Sequence, residues 1–299
     1  MSIKKRQHPA HRLVFAGFLV FAGSASVQAE TASDWERGEY SSVRLIAASD
    51  GVGPDGTVDV GVQMRLRSGW KTYWRSPGQA GVPTRFDMAG SANVETTEVA
   101  WPTPERFSDF EFETYGYGGE VVFPIAVDVT NPKMPTNLRV KVTFGVCKEI
   151  CIPMEAFLEL DLKPVDAPEA TSHASKIQRF RDKVPLASGE AGLSVSSLIL
   201  EQDAQLQRLE ILAVNEAGFQ WPDVALELPP AFRTGVPGVR MSLDRRRARL
   251  SLPLWSNGAQ DSLVGETVKV TLWDEDGRAV ERSLTVEAAE SNETAQKAR

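Results

Sequence analysis

Two cysteines, Cys147 and Cys151, are the whole cysteine complement of this 299-residue chain. They stand in the run Thr143-Phe-Gly-Val-Cys-Lys-Glu-Ile-Cys-Ile-Pro-Met-Glu155. Two thiols so close can form a disulfide, and a disulfide can exchange with the thiolate of another protein. Competing chemistries lack their residues. Of three histidines, His8 and His11 fall in an N-terminal leader, which leaves His173. Ser-His-Asp and Cys-His catalysis need a histidine held against the nucleophile. A zinc site would need more Cys or His ligands, and copper normally asks for His, Cys and Met together. There is no Gly-rich phosphate loop and no Cys-x-x-Cys motif. Asp109, Glu111 and Glu113 read as solubilising charge. By elimination the cysteine pair is the strongest chemistry in the sequence, and no cofactor and no metal are expected.

The flanking pattern says how the pair is held. Leu138, Val140, Val142, Phe144 and Val146 alternate with Arg139, Lys141, Thr143 and Gly145. Beyond the pair, Ile152, Met154, Ala156, Leu158, Leu160 and Leu162 alternate with Glu155, Glu159 and Asp161. Strict alternation marks half-buried strands. Lys148, Glu149 and Ile150 suffice for a short hairpin loop. Directly opposed residues of such a hairpin come within about 5 Å at Cβ, so a disulfide is expected. The parity of both cysteines puts it on the polar, outward face. Two readings stay open on these grounds, a redox centre and an inert staple. A bridge closing so short a loop adds only about 2 kcal/mol in the chain-entropy model.

Residues 1–29 read as a secretory signal peptide. Lys4, Lys5, Arg6 and Arg12 precede the apolar run Leu13 to Ala22, and Val27-Gln28-Ala29 fits small-x-small cleavage near Ala29. The mature chain would occupy an oxidising compartment, where disulfides persist, and the bacterial character of the leader makes that the periplasm. Losing the leader moves the formal charge from −7 to −11, which argues against nucleic acid as a partner.

Short strands are expected almost throughout, with turn signals between them, as in a β-sandwich. They fall near 42–48, 58–66, 93–100 and 121–129, and later at 208–214, 249–254, 268–273 and 283–286. The aromatic stretch Trp101 to Gly119 reads as a long functional loop. Residues 163–173 read as a linker, followed by a short helix capped by Ser172 or Ser175 and ending before Pro185. The fold class is all-β, with two immunoglobulin-like sandwiches. The boundaries are a leader at 1–29, a redox domain at 30–165, a linker with a short helix at 166–190, a second sandwich at 191–288 and a polar tail at 289–299.

The segment Phe144 to Ala156 resembles the disulfide hairpin of the periplasmic N-terminal domain of DsbD-type disulfide reductases, and most of all the ScsB branch. Trp70-Lys-Thr-Tyr-Trp-Arg75, Trp101-Pro102 and Tyr117 to Pro124 also look like that family. The likeness covers about residues 35–165 as a stand-alone chain, and a second all-β half is consistent with the ScsB-like subset. The resemblance implies that a membrane-embedded thiol donor of DsbD/CcdA type passes electrons to the cysteine pair, which reduces periplasmic thioredoxin-fold proteins, including those of cytochrome c biogenesis. It assigns the mixed disulfides to Cys151 and their resolution to Cys147. It places a shielding cap aromatic at Phe110, flanked by Asp109, with Tyr73, Trp70 and Tyr117 lining the site. The alternative is a non-catalytic β-sandwich binding or assembly module with a structural disulfide.

Overall fold

A computed structural model describes residues 31–109, 112–202, 206–256 and 262–289. The signal peptide, Phe110 and residues 290–299 of the tail lie outside the described residues. Within them no helix is long and apolar enough to cross a membrane.

Alternating side chains build the first unit as two sheets, each with one face on a shared core. One sheet runs in the order Glu36–Arg37, Ser41–Ala47, Thr57–Leu66, Glu120–Val129, Val94–Val99. The other runs Cys151–Leu162, Thr136–Cys147, Lys71–Gly78, Phe112–Gly118, Glu105–Asp109, with Arg85–Asp87 also on Thr136–Cys147. Leu138, Val140, Val142, Phe144 and Val146 meet Val60, Val62, Phe123 and Ile125 in one core between the sheets. The second unit repeats the architecture. A four-stranded sheet contains Asp223–Glu227, Thr267–Trp273 and Ala279–Thr285, and a six-stranded sheet is built around Leu193–Gln202, Gln207–Asn215 and Arg247–Ser256. The two enclose a separate core that includes Leu209, Ile211, Leu250 and Val270. Among the described residues the fold is all-β, with one short α-helix, and is immunoglobulin-like in its sandwiches.

Two local readings are corrected. The stretch after Trp101 is not an irregular loop: Glu105–Asp109 and Phe112–Gly118 pair as a tight hairpin. Its strands hid because Tyr115-Gly-Tyr-Gly118 reads as breakers, whereas glycine here serves close packing. A Cβ at Gly116 would lie 2.0 Å from the Thr72 carbonyl oxygen. The helix spans Ala174–Arg181 with His173, not a serine, at its N-cap. Thr171 fixes that entry instead, its Oγ1 accepting from the His173 amide at 3.0 Å and donating to the Ala47 carbonyl at 2.6 Å. Ile177 and Phe180 then bury the helix against the first core, so the segment after Lys163 is docked along the first sandwich.

Candidate functional site

The disulfide hairpin is in register from end to end, from Thr136 opposite Leu162 to Cys147 opposite Cys151. Cys147 and Cys151 are joined as a disulfide, with Cα atoms 4.2 Å apart. The three loop residues between them are exposed, Ile150 included. Cys147 also pairs with Lys71 of the next strand. Paired residues share a face, so Cys151, Cys147, Lys71 and Gly118 form one row on the outer surface of the sheet.

That surface is covered at one end, which corrects the expectation of a fully outward disulfide. Cys147 is 1% exposed, while Cys151 on the edge strand is open to solvent. The covering comes from Tyr73, two residues along from Lys71 on the same face. Its hydroxyl lies 3.2 Å from Cys151 Sγ. A disulfide sulfur carries no proton, so the hydroxyl is the donor. The ring fits because its neighbours are small. A Cβ at Gly81 would come within 2.5 Å of it and one at Gly145 within 3.3 Å. Gly81 also has φ of +111°, a backbone region that favours glycine. Thr84 Oγ1 donates to the Tyr73 carbonyl at 2.6 Å and anchors the returning loop.

Lys71 brings a cation to the same face. It is buried, its Nζ donates to Thr114 Oγ1 at 2.9 Å, and it sits 4.7 Å from the centre of the Phe107 ring. Phe107 in turn reaches toward Gly118. Lys71, Phe107, Thr114 and Gly81 were not singled out from the sequence. The one available signal was parity, since Lys71 shares a face with Tyr73.

The other expected lining residues lie apart from the sulfurs. Trp70 stacks on Tyr40 with ring centres 3.8 Å apart and packs against the core edge. Tyr117 points into the core, edge-on to Phe123, and its hydroxyl donates to the Pro102 carbonyl at 2.8 Å. Burial pushes the Tyr117 hydroxyl well above the usual tyrosine range. Asp109 ends its strand opposite Phe112, at the hairpin tip.

The second sandwich grips the strand carrying Tyr73 and the hairpin beside it. The Arg75 guanidinium donates to Glu227 Oε1 at 2.7 Å and to Glu281. Arg106 forks onto both carboxylate oxygens of Asp223, at 2.6 and 2.8 Å, and onto the Val224 carbonyl at 2.9 Å. The Tyr115 hydroxyl donates to the same carbonyl at 3.0 Å, and Gln79 Nε2 to the Thr234 carbonyl at 2.9 Å. Burial alone would lower the Arg106 pKa, but the Asp223 hydrogen bond and the surrounding negative charge outweigh it and raise it. Burial pushes Tyr115 up to about 12, against the lowering effect of Arg106. No group of His, Cys, Asp and Glu among the described residues is arranged to hold a metal.

Fold and site together define an immunoglobulin-like sandwich with a cross-strand disulfide at the edge of one sheet. Residues 43–163 match the family described as thiol:disulfide interchange protein DsbD, N-terminal, and the first unit is a domain of that type. Residues 183–289 match a domain of unknown function, DUF8393. Among solved structures, the chain is similar to the N-terminal periplasmic domain of ScsB from Proteus mirabilis. The TM-score is 0.68 at 24% identity, over 86% of this chain and 98% of that one. No curated protein matches the chain.

Proposed function

We propose that this chain is a periplasmic thiol–disulfide exchange protein that takes electrons from a membrane-embedded thiol donor and reduces thioredoxin-fold proteins. The observation that carries the reading is the asymmetry of the pair: an exposed Cys151 on an edge strand, joined to a buried Cys147. Exchange depends on which sulfur can be reached. A donor thiolate attacks Cys151 Sγ, and the Cys147–Cys151 bond breaks with its electron pair on Cys147. The donor's second thiol resolves the mixed disulfide, which leaves the donor oxidised and this protein a dithiol. Cys151 thiolate then attacks a client disulfide. Cys147 displaces the client, restoring the internal bond and releasing the client as a dithiol. Tyr73, hydrogen-bonded to Cys151 Sγ, would steady the thiolate, since hydrogen bonds to a charged form favour it.

Trapping tests the assignment. Cys147→Ser lacks the resolving thiol and should accumulate mixed disulfides with thioredoxin-fold proteins on a non-reducing gel after acid quenching. Cys151→Ser should accumulate few or none. The opposite pattern would reverse the roles. The burial of Cys147 also favours a second reading, a binding or assembly module with a structural disulfide, and adducts from neither variant would support it.

A further inference from the structure

The second sandwich carries a cleft that disulfide exchange does not use. It lies on the outer face of the six-stranded sheet, where Gln207–Asn215 runs between Leu193–Gln202 and Arg247–Ser256. Leu209 and Ile211 are fully buried in the core, so Glu210 between them faces outward, opposite Ile199 and Ser251. Yet Glu210 is only 5% exposed, and its Oε2 has no hydrogen-bond partner among the described residues. A buried carboxylate left without a donor is costly. Its unmet need points to a donor supplied from outside the chain.

The rim has the opposite character. Arg208, Arg240 and Arg249 line the same cleft. Arg249 approaches Glu201 at 3.8 Å, and Arg208 and Arg240 have no hydrogen-bond or ion-pair partner among the described residues. The cleft has a volume of about 460 Å³, within the range of small-molecule sites. A simple anion would meet the Glu210 charge at the floor, and a simple cation would meet the arginines at the rim. A molecule bearing both charges meets neither.

We propose that this cleft binds a small zwitterion of the amino-acid or short-peptide class, its ammonium on Glu210 and its carboxylate on Arg208 and Arg240. Arginine suits the second task because its planar fork matches a carboxylate. The proposal is independent of the exchange reading, since it uses no residue of the first sandwich.

Isothermal titration calorimetry of the full chain with trialanine tests it, run beside N-acetyl-trialanine and trialanine amide, which each lack one charge. Trialanine should bind saturably, and each blocked peptide at least about tenfold more weakly. Glu210→Gln should weaken trialanine binding while leaving the N-acetyl peptide unchanged. Arg240→Gln alters an exposed side chain, and it should weaken trialanine but not the amide. No saturable heat up to about 10 mM trialanine, or equal binding of the blocked peptides, would overturn the proposal.

Discussion

The two edges of the disulfide-bearing sheet are built to opposite ends. One edge, Cys151–Leu162, is open. Its outward residues from Cys151 to Asp161 are exposed, and Pro153 offers no backbone donor to a further strand. The other edge, Glu105–Asp109 with its partner Phe112–Gly118, is gripped by the second sandwich through Arg106, Tyr115 and Asp223. Between them lie Lys71 and Tyr73, whose strand is itself held through Arg75. The contrast teaches how a small sandwich can offer a reactive sulfur without loosening its surroundings. The sulfur sits where a partner can approach, and the rigidity comes from the far side of the sheet.

That contrast predicts unequal sensitivity to substitution. The largest effect should come from the held edge. Asp223→Ala leaves the largely buried Arg106 guanidinium with Glu113, at 3.5 Å, as its remaining ion-pair partner, and should cost about 3–5 kcal/mol in chemical denaturation. Adding Arg106→Leu to it should recover part of that loss. Equal stability of wild type and Asp223→Ala would show that the grip contributes nothing.

A smaller loss is expected at the site itself. Gly81→Val puts a branched side chain against the Tyr73 ring at a positive φ, for about 1–3 kcal/mol. Because Tyr73 must move, alkylation of reduced Cys151 should change with it, and an unaltered rate would mean that the ring does not govern access. Tyr73→Phe is milder. Losing the hydroxyl removes its hydrogen bond to the Cys151 sulfur, and alkylation of reduced Cys151 at fixed pH should slow, because a hydrogen bond to the charged form favours it.

The smallest effect belongs to the open edge. Glu155 pairs with Lys141 at 2.8 Å, but both side chains are substantially exposed. Glu155→Ala should shift stability by no more than about 0.5 kcal/mol. A loss comparable to that of Asp223→Ala would erase the distinction between the edges.

The open edge was readable from sequence and the held edge was not, for physical reasons. Residues 138–162 alternate strictly because one face meets a core and the other meets water, and that period fixed both the strands and the opposition of Cys147 to Cys151. In residues 105–118 both faces are covered over part of their length. Glycines replace the polar partners of Tyr115 and Tyr117, so the period vanished and a hairpin read as a loop. The burial of Cys147 escaped for the same reason. It comes from Tyr73 and the return through Gly81, contacts distant in sequence. Family resemblance points to Tyr73, whereas no local pattern points to Lys71 or shows that Trp70 stacks on Tyr40 and Tyr117 turns into the core. The arginines joining the two sandwiches looked like ordinary surface charge, because an ion pair spanning more than a hundred residues leaves no local pattern.

If the proposed function holds, the Cys147–Cys151 bond is a working redox centre in the folded protein. Equilibrating the native chain with dithiothreitol redox buffers, counting free thiols and following circular dichroism in the same samples tests it most directly. Two thiols should appear at potentials above about −300 mV while the β-sheet signal is unchanged. A bond that resists reduction until well below that potential, or opens only as the sheet signal is lost, would contradict it.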